Sequence, residues 1–351
     1  MTLPAAIAAT LRRGGVIPAH PLALDRRGRF DERRQRALTR YYLDAGAIGV
    51  AIGVHTTQFA IRDPRIGLHR PVLELGRDAI DDWAPGRPIV RIAGVVGPTR
   101  QAVREATVAR DLGYQVALVS LGGLGAWPDR RLLGHLRAVG TVLPVMGFYL
   151  QPAVGGRPLS YRFWREAAEL PSLVAIKAAP FDRYRTLDLV RAVAASGRGR
   201  EVALYTGNDD AIVADLTARY RVPGPDGRPV SLRFVGGLLG HWACWTRRAV
   251  ALVDRCRELR GGALPGDLAR IGTATTDANG ALFDAANGFR GCIAGIHEIL
   301  RRQGLLASRR CLDPHETLSP GQARELDRVT RAYPFLTDDR FVADGLDRWL
   351  R

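Results

Sequence analysis

Leu173-Val174-Ala175-Ile176-Lys177-Ala178-Ala179 reads as a β-strand covered on both faces. Its apolar residues run on without the polar alternation of a half-solvated strand, the pattern that parallel sheets impose. Downstream, residues 186–195 carry apolar side chains at helical spacing and meet Gly197, where a helix stops. A second apolar run, 202–206, follows. Upstream the order repeats, with 143–150 as strand and 161–170 as helix. Further apolar runs lie at 16–22, 48–54, 88–96, 115–121 and 232–238. Helical stretches separate them at 32–45, 100–112, 129–139, 211–220 and 246–259, and Gly46, Gly113 and Gly140 mark three of the ends. Only 59–87 is long and irregular.

Eight strand–helix units in roughly 250 residues are the signature of a (β/α)8 barrel. A doubly wound sheet would place a Gly-rich phosphate turn after its first strand. Here the first run leads instead into His20-Pro21-Leu22. After Gly262 the strands cease, and 264–302 and 319–351 read as helices. The expected organisation is an α/β TIM barrel over residues 1–262 with a C-terminal helical extension, 263–351, packed on it.

Apolar residues make up 46% of the chain, enough for one large core, and no run is long enough to span a membrane. The apolar stretch near the N-terminus precedes Arg12 and Arg13, the reverse of a secretory signal. Cys244, Cys256, Cys292 and Cys311 show no CxxC spacing. Both features lead to the expectation of free thiols in a cytoplasmic protein. Lys and Arg total 51 against 35 acidic residues, for a net charge of +16. The basic residues are dispersed among Asp and Glu, with no basic block beside aromatics, so no nucleic-acid partner is expected. The positive field would instead draw small anionic substrates.

Lys177 is the only lysine in the chain. Arginine meets every other need for positive charge, so the one lysine kept should do what arginine cannot, which is to lose its proton and attack as an amine. An apolar strand disfavours the ammonium and lowers its pKa. The neutral amine can then add to a carbonyl carbon, giving an iminium that acts as an electron sink. The plain alternative is a lysine that reaches solvent or pairs with a carboxylate. Barrel active sites gather at the C-terminal ends of the strands. Falling there are His20, His55, Thr56, Thr57, Tyr149, Gln151, Lys177, Tyr205, Thr206, Gly207, Asn208, Asp209, His241 and Trp242. The Tyr149 phenol would pass protons during imine formation, or serve as a core aromatic. The Thr56-Thr57 pair would hold a carboxylate, extend a relay from Tyr149, or cap a turn.

Five segments, in order, resemble the dihydrodipicolinate synthase/N-acetylneuraminate lyase family of class I aldolases. They are Gly15-Val16-Ile17-Pro18-Ala19 with Asp25 and Gly28, Asp44-Ala45-Gly46-Ala47 with Thr56-Thr57, Phe148-Tyr149-Leu150-Gln151-Pro152, Val174-Ala175-Ile176-Lys177, and Thr206-Gly207-Asn208-Asp209. The resemblance covers about residues 14–260, and the helical tail fits it. It implies an imine between Lys177 and pyruvate or a related 2-keto acid, protons relayed by Tyr149 with help from Thr56, and the carboxylate held by Thr57. His20, His55, Gln151, Arg157, Gly207, Asn208 and His241 complete the expected substrate site. No cofactor and no metal are implied, and the family's assembly predicts a homo-oligomer, tetramer or dimer.

The chain departs from the family around the second substrate. His55 stands before the threonines, Gln58-Phe59 replaces the usual Gly-Glu, and Ser120-Leu121-Gly122-Gly123 lacks the tyrosine that the synthases lend across an interface. The arginine that grips the second substrate is displaced, with Arg157 as the candidate to reach in. The resemblance therefore predicts an aldol lyase or condensing enzyme of unassigned second substrate, or a sugar-acid dehydratase acting through the same imine. Two rivals use different chemistry: a metal-dependent barrel ligated by His20, His55 and His241, and a barrel that binds a small regulator. His69, His135, His297 and His315 receive no role.

Overall fold

The computed structural model describes residues 2–259 and 263–351. Along the chain, α1 (Ala5–Arg13) and β1 (Val16–Pro18) are followed by α2 (Glu32–Ala45), β2 (Gly49–Ile52), α3 (His69–Trp83), β3 (Val90–Val95), α4 (Thr99–Asp111) and β4 (Val116–Ser120). Next come α5 (Asp129–Gly140), β5 (Val145–Leu150), α6 (Tyr161–Ala168), β6 (Leu173–Ala179), α7 (Arg183–Ala195), β7 (Ala203–Thr206) and α8 (Ile212–Thr217). A hairpin of β8 (Tyr220–Pro223) and β9 (Pro229–Leu232) precedes β10 (Phe234–Leu239) and α9 (Thr246–Glu258). The chain ends in α10 (Gly266–Leu282), α11 (Cys292–Arg302), α12 (Gln322–Ala332) and α13 (Asp339–Trp349).

Eight strands form one parallel sheet in the order β1-β10-β7-β6-β5-β4-β3-β2. A parallel bridge between Ala19 and Ala51, with the His20 N–H donating to the Ala51 carbonyl at 2.8 Å, closes β2 onto β1. The molecule is thus a TIM barrel followed by a helical region, as the strand–helix alternation predicts. The boundary expected at 262/263 touches residues 260–262, which lie outside the described residues.

Strand geometry sorts each side chain to one of two layers, because successive residues face opposite sides. Met146, Phe148, Ala175, Tyr205 and Leu238 pack in the barrel interior, while Val145, Tyr149, Ile176 and Ala178 pack outward against the helices. The helix α1 joins the interior from below: Ile7 and Leu11 share its cluster, and the Tyr205 hydroxyl donates to the Leu11 carbonyl at 2.7 Å.

Four segments differ from the sequence expectation, one being 319–351, where a 3-10 turn at Pro334–Leu336 separates α12 from α13. The helix expected over 211–220 ends at Thr217, and a hairpin takes up the chain. Its turn, Gly224-Pro225-Asp226-Gly227, carries a strong turn signal, with Gly227 at φ 75° and Asp226 accepting from the Arg228 N–H. The irregular 59–87 stretch holds a short 3-10 turn, Phe59–Arg62, before α3. The helix expected over 264–302 is broken between α10 and α11, where Asp284, Gly288 and Phe289 adopt positive φ.

Candidate active site

β6 has Ala175, Lys177 and Ala179 on its inner face, so the lysine points into the barrel near its C-terminal mouth. There it lines a cavity of about 80 Å³. Parallel pairing sets Phe148 of β5 beside Lys177, and Nζ lies 4.4 Å from the centre of the Phe148 ring. On the other side Gly207 follows β7. A Cβ at Gly207 would come within 2.6 Å of Lys177 Cε and 2.9 Å of Ala179 Cβ, so glycine leaves the lysine its room.

Burial pushes the Lys177 amine down from 10.5 to about 8, opposed by the Asp209 carboxylate. Asp209 also lines the cavity. Burial raises its carboxyl to about 7, opposed by the Lys177 charge and by the His241 N–H, which donates to Asp209 Oδ1 at 3.3 Å. Both groups are half-buried and line the same cavity. Burial moves the two in opposite directions while each charge favours the other, and an amine and a carboxyl at one cavity are candidates for acid–base work on a carbonyl.

His55, Thr56, Gln151 and Gly207 line the same cavity as Lys177. The Thr56 hydroxyl is buried with no hydrogen-bond partner in the protein. Burial, reinforced by the Lys177 charge, lowers the His55 imidazole to about 4, so it is neutral at pH 7. The neutral ring can donate or accept a hydrogen bond to a substrate.

Several expected site residues sit elsewhere. Tyr149 faces outward, 5.4 Å from the Trp164 ring; its hydroxyl donates to the Leu159 carbonyl at 3.1 Å and accepts from the Leu159 N–H at 3.2 Å. It holds the β5–α6 connection, and Phe148 takes the inward position beside Lys177. The Thr57 hydroxyl donates to the His20 carbonyl at 2.6 Å and accepts from the Gly53 N–H at 3.0 Å, which ties it into the turn after β2. The His20 ring lies 2.9 Å from Thr39 Oγ1 and 2.8 Å from the Pro21 carbonyl, inside the wall.

Asn208 donates to Thr186 and Asp215 and accepts from the Phe181 N–H at 3.0 Å, so it shapes the loop that carries Phe181 and does not line the cavity itself. Arg157 donates to the carbonyls of Leu124 and Trp127 at 3.0 and 2.9 Å and pins the loop after β4. The His241 ring turns away, toward Trp245 and a second cavity between α9 and α10; only its backbone N–H reaches the site. His20, His55 and His241 thus do not converge, and among the described residues no group of three His, Cys, Asp or Glu side chains is placed to hold a metal.

Residues that motif reading passed over complete the wall. Phe181 follows β6, Phe283 ends α10, Phe289 lies in the break before α11, and Cys292 and Ile296 come from α11. Burial and the neighbouring Asp209 raise the Cys292 thiol, so it stays protonated near neutral pH. Asp209 itself was legible as the last residue of the Gly207-Asn208-Asp209 turn. The C-terminal residues had no local signal, because only the packing of α10 and α11 over the mouth brings them to Lys177.

No protein-family model matches the chain, and no curated protein matches it. Solved structures do. A dihydrodipicolinate synthase from Oceanobacillus iheyensis superposes with a TM-score of 0.72 at 18% identity, over 93% of this chain and 99% of the other. An N-acetylneuraminate lyase from Fusobacterium nucleatum gives 0.71 at 16% identity, over 92% and 99%. A dihydrodipicolinate synthase from Acinetobacter baumannii, complexed with pyruvate, gives 0.72 at 18% identity, over 92% and 98%. The chain therefore has the fold of the dihydrodipicolinate synthase and N-acetylneuraminate lyase structures along nearly its whole length.

Proposed function

We propose that the protein is a class I lyase that forms an imine between Lys177 and pyruvate or a related 2-keto acid, then makes or breaks a bond of the resulting enamine. The observation that carries this reading is the chain's single lysine, held inside the barrel mouth with its amine lowered to about 8 beside a carboxyl raised to about 7. Asp209 takes a proton from the ammonium, the free amine adds to the keto carbon, the nitrogen passes one proton to the oxygen, and the protonated carboxyl supplies the second as water leaves and the iminium forms. The carboxylate then takes a C3 proton to give the enamine. The Thr56 hydroxyl and the neutral His55 ring supply hydrogen bonds to the substrate oxygens. Asp209 thus fills the part that the resemblance gave to Tyr149. Fold-level likeness to a pyruvate-bound synthase is consistent with this substrate class.

The test is reductive trapping. Incubation with pyruvate, 2-oxobutanoate or a wider keto-acid panel, followed by borohydride, adds the mass of the reduced adduct to the peptide that contains Lys177. A panel that leaves this peptide unlabelled overturns the reading. Lys177→Arg, which keeps the charge and loses the nucleophile, abolishes the adduct.

A further inference from the structure

We infer that the carbonyl compound joined to the enamine, or released from it, is an uncharged aldehyde whose remainder is aromatic or branched and apolar. This rests on the imine reading and names the second substrate that it leaves open.

The cavity wall is of two kinds. Thr56, Gln151 and Asp209 supply polar groups beside Lys177, the amine that the keto acid would engage. Phe181, Phe283, Phe289 and Ile296, from the loop after β6 and the C-terminal helical region, supply an apolar surface to the same cavity. Two of these rings are held in place at a conformational cost. Phe181 has φ 51° and Phe289 φ 66°, a left-handed backbone that bulky residues rarely adopt. The Phe181 turn is secured by the buried Asn208 side chain, which accepts its N–H, and the two rings meet edge to face at 6.1 Å. A fold that maintains two strained phenylalanines at the mouth presents a preformed aromatic surface to whatever enters.

Charge excludes the alternatives. Among the described residues no cation other than Lys177 lines the cavity, since Arg157 is tied to the Leu124 and Trp127 carbonyls. A carboxylate on the second substrate would be buried against phenylalanine with no counter-charge. A polyhydroxylated chain would strand its hydroxyls against the same wall, at a cost for each unpaired group. An aromatic or branched apolar group loses nothing there and gains the burial.

In the condensing direction the enamine π pair forms the new carbon–carbon bond to the aldehyde carbon. The aldehyde C=O pair moves to oxygen, which takes a proton from the Asp209 carboxyl, and the nitrogen becomes an iminium. Water then adds to the iminium carbon and expels the Lys177 amine, leaving a 4-hydroxy-2-keto acid. Cleavage is the same sequence reversed.

The experiment uses the full-length protein with pyruvate and three aldehydes: benzaldehyde, D-erythrose and succinic semialdehyde. Product is read as the 4-hydroxy-2-keto acid by mass. The expected kcat/KM for benzaldehyde exceeds both others by roughly 100-fold, the ratio that about 2.7 kcal/mol of unpaired polar or charged burial produces. Phe289→Ala raises KM for benzaldehyde with a smaller change in kcat, and Phe289→Leu restores most of it. Phe289→Arg shifts preference toward succinic semialdehyde. Equal or better turnover of erythrose or succinic semialdehyde by the unaltered protein overturns the proposal. So does borohydride trapping of pyruvate with no turnover of benzaldehyde, and that result leaves the imine reading standing. Failure of every keto acid to label Lys177 sinks both.

Discussion

At the scale of single residues, the decisive relation is between Lys177, Asp209 and Phe148. The amine and the carboxyl are moved toward each other by the same cause, burial, acting with opposite sign on a cation and an anion. Imine formation needs the neutral amine, so the trapping rate with pyruvate rises as pH passes through about 7 to 8. Asp209→Asn removes the charge that holds the amine up, so the Lys177 pKa falls below its value of about 8. It also removes the proton acceptor, and the trapping rate drops by about 10²–10⁴-fold. The two effects are read separately, by the pH dependence of the single lysine's NMR signal and by the trapping kinetics. Tyr149→Phe, outside the proton path, forfeits none of that factor and leaves the rate within about threefold. Loss of trapping in Tyr149→Phe would return the relay to the tyrosine.

At the scale of elements, the mouth is held open and shaped by buried polar ties between strands and loops. Arg62, on the turn after β2, pairs with Glu105 of α4 at 3.0 Å, and each side chain is 9% exposed. The same guanidinium donates to the carbonyls of Gly53 and Gly94 at 3.0 and 2.9 Å, which joins the ends of β2 and β3. Arg62→Met leaves Glu105 as an uncompensated buried carboxylate and costs about 3–5 kcal/mol in urea unfolding. A loss below about 1 kcal/mol would mean that the tie is relaxed by solvent. The network of Thr206, Asn208, Thr186 and Asp215 does the equivalent work for the loop after β6, and Arg183 extends it outward. Three residues read at first as candidates for substrate contact, Thr57, Asn208 and Arg157, belong to this class of ties.

At the scale of the whole molecule, the C-terminal helices do two jobs. α11 and the break that joins it to α10 cover the barrel mouth and supply four residues of the cavity wall, Phe283, Phe289, Cys292 and Ile296. α13 packs on α2 near the other end of the sequence: Trp349 Nε1 donates to Asp44 at 2.6 Å, and the Trp349 ring lies 5.4 Å from Tyr41. Asp338, just before α13, accepts from the Tyr41 hydroxyl at 2.7 Å and from the Arg247 N–H at 3.0 Å. Trp349 is fully buried, so Trp349→Ala lowers unfolding stability by about 3–5 kcal/mol. The folded variant keeps its reductive labelling of Lys177, because the contact is remote from the cavity. A variant that stays stable would show that α13 is not part of the cooperative unit.

The sequence by itself determined the barrel and singled out its one lysine. Eight apolar runs buried on both faces admit few other folds, and a lone lysine within one of them in an arginine-rich chain marks the amine. Which neighbours reach that amine was decided only by tertiary structure. Tyr149 stands three residues before Pro152, but that spacing does not state which face of β5 it occupies. The register does, through an irregularity between Val145 and Met146 that pairs Phe148 with Lys177. Since side chains alternate along a strand, one position exchanges a buried structural phenol for an aromatic wall. Thr57 and Arg157 carry the right functional groups, yet their hydrogen bonds were assigned by nearby backbone carbonyls that no motif records. Phe283, Phe289 and Cys292 lie more than a hundred residues from Lys177, and only the folding of two helices over the mouth makes them part of the site.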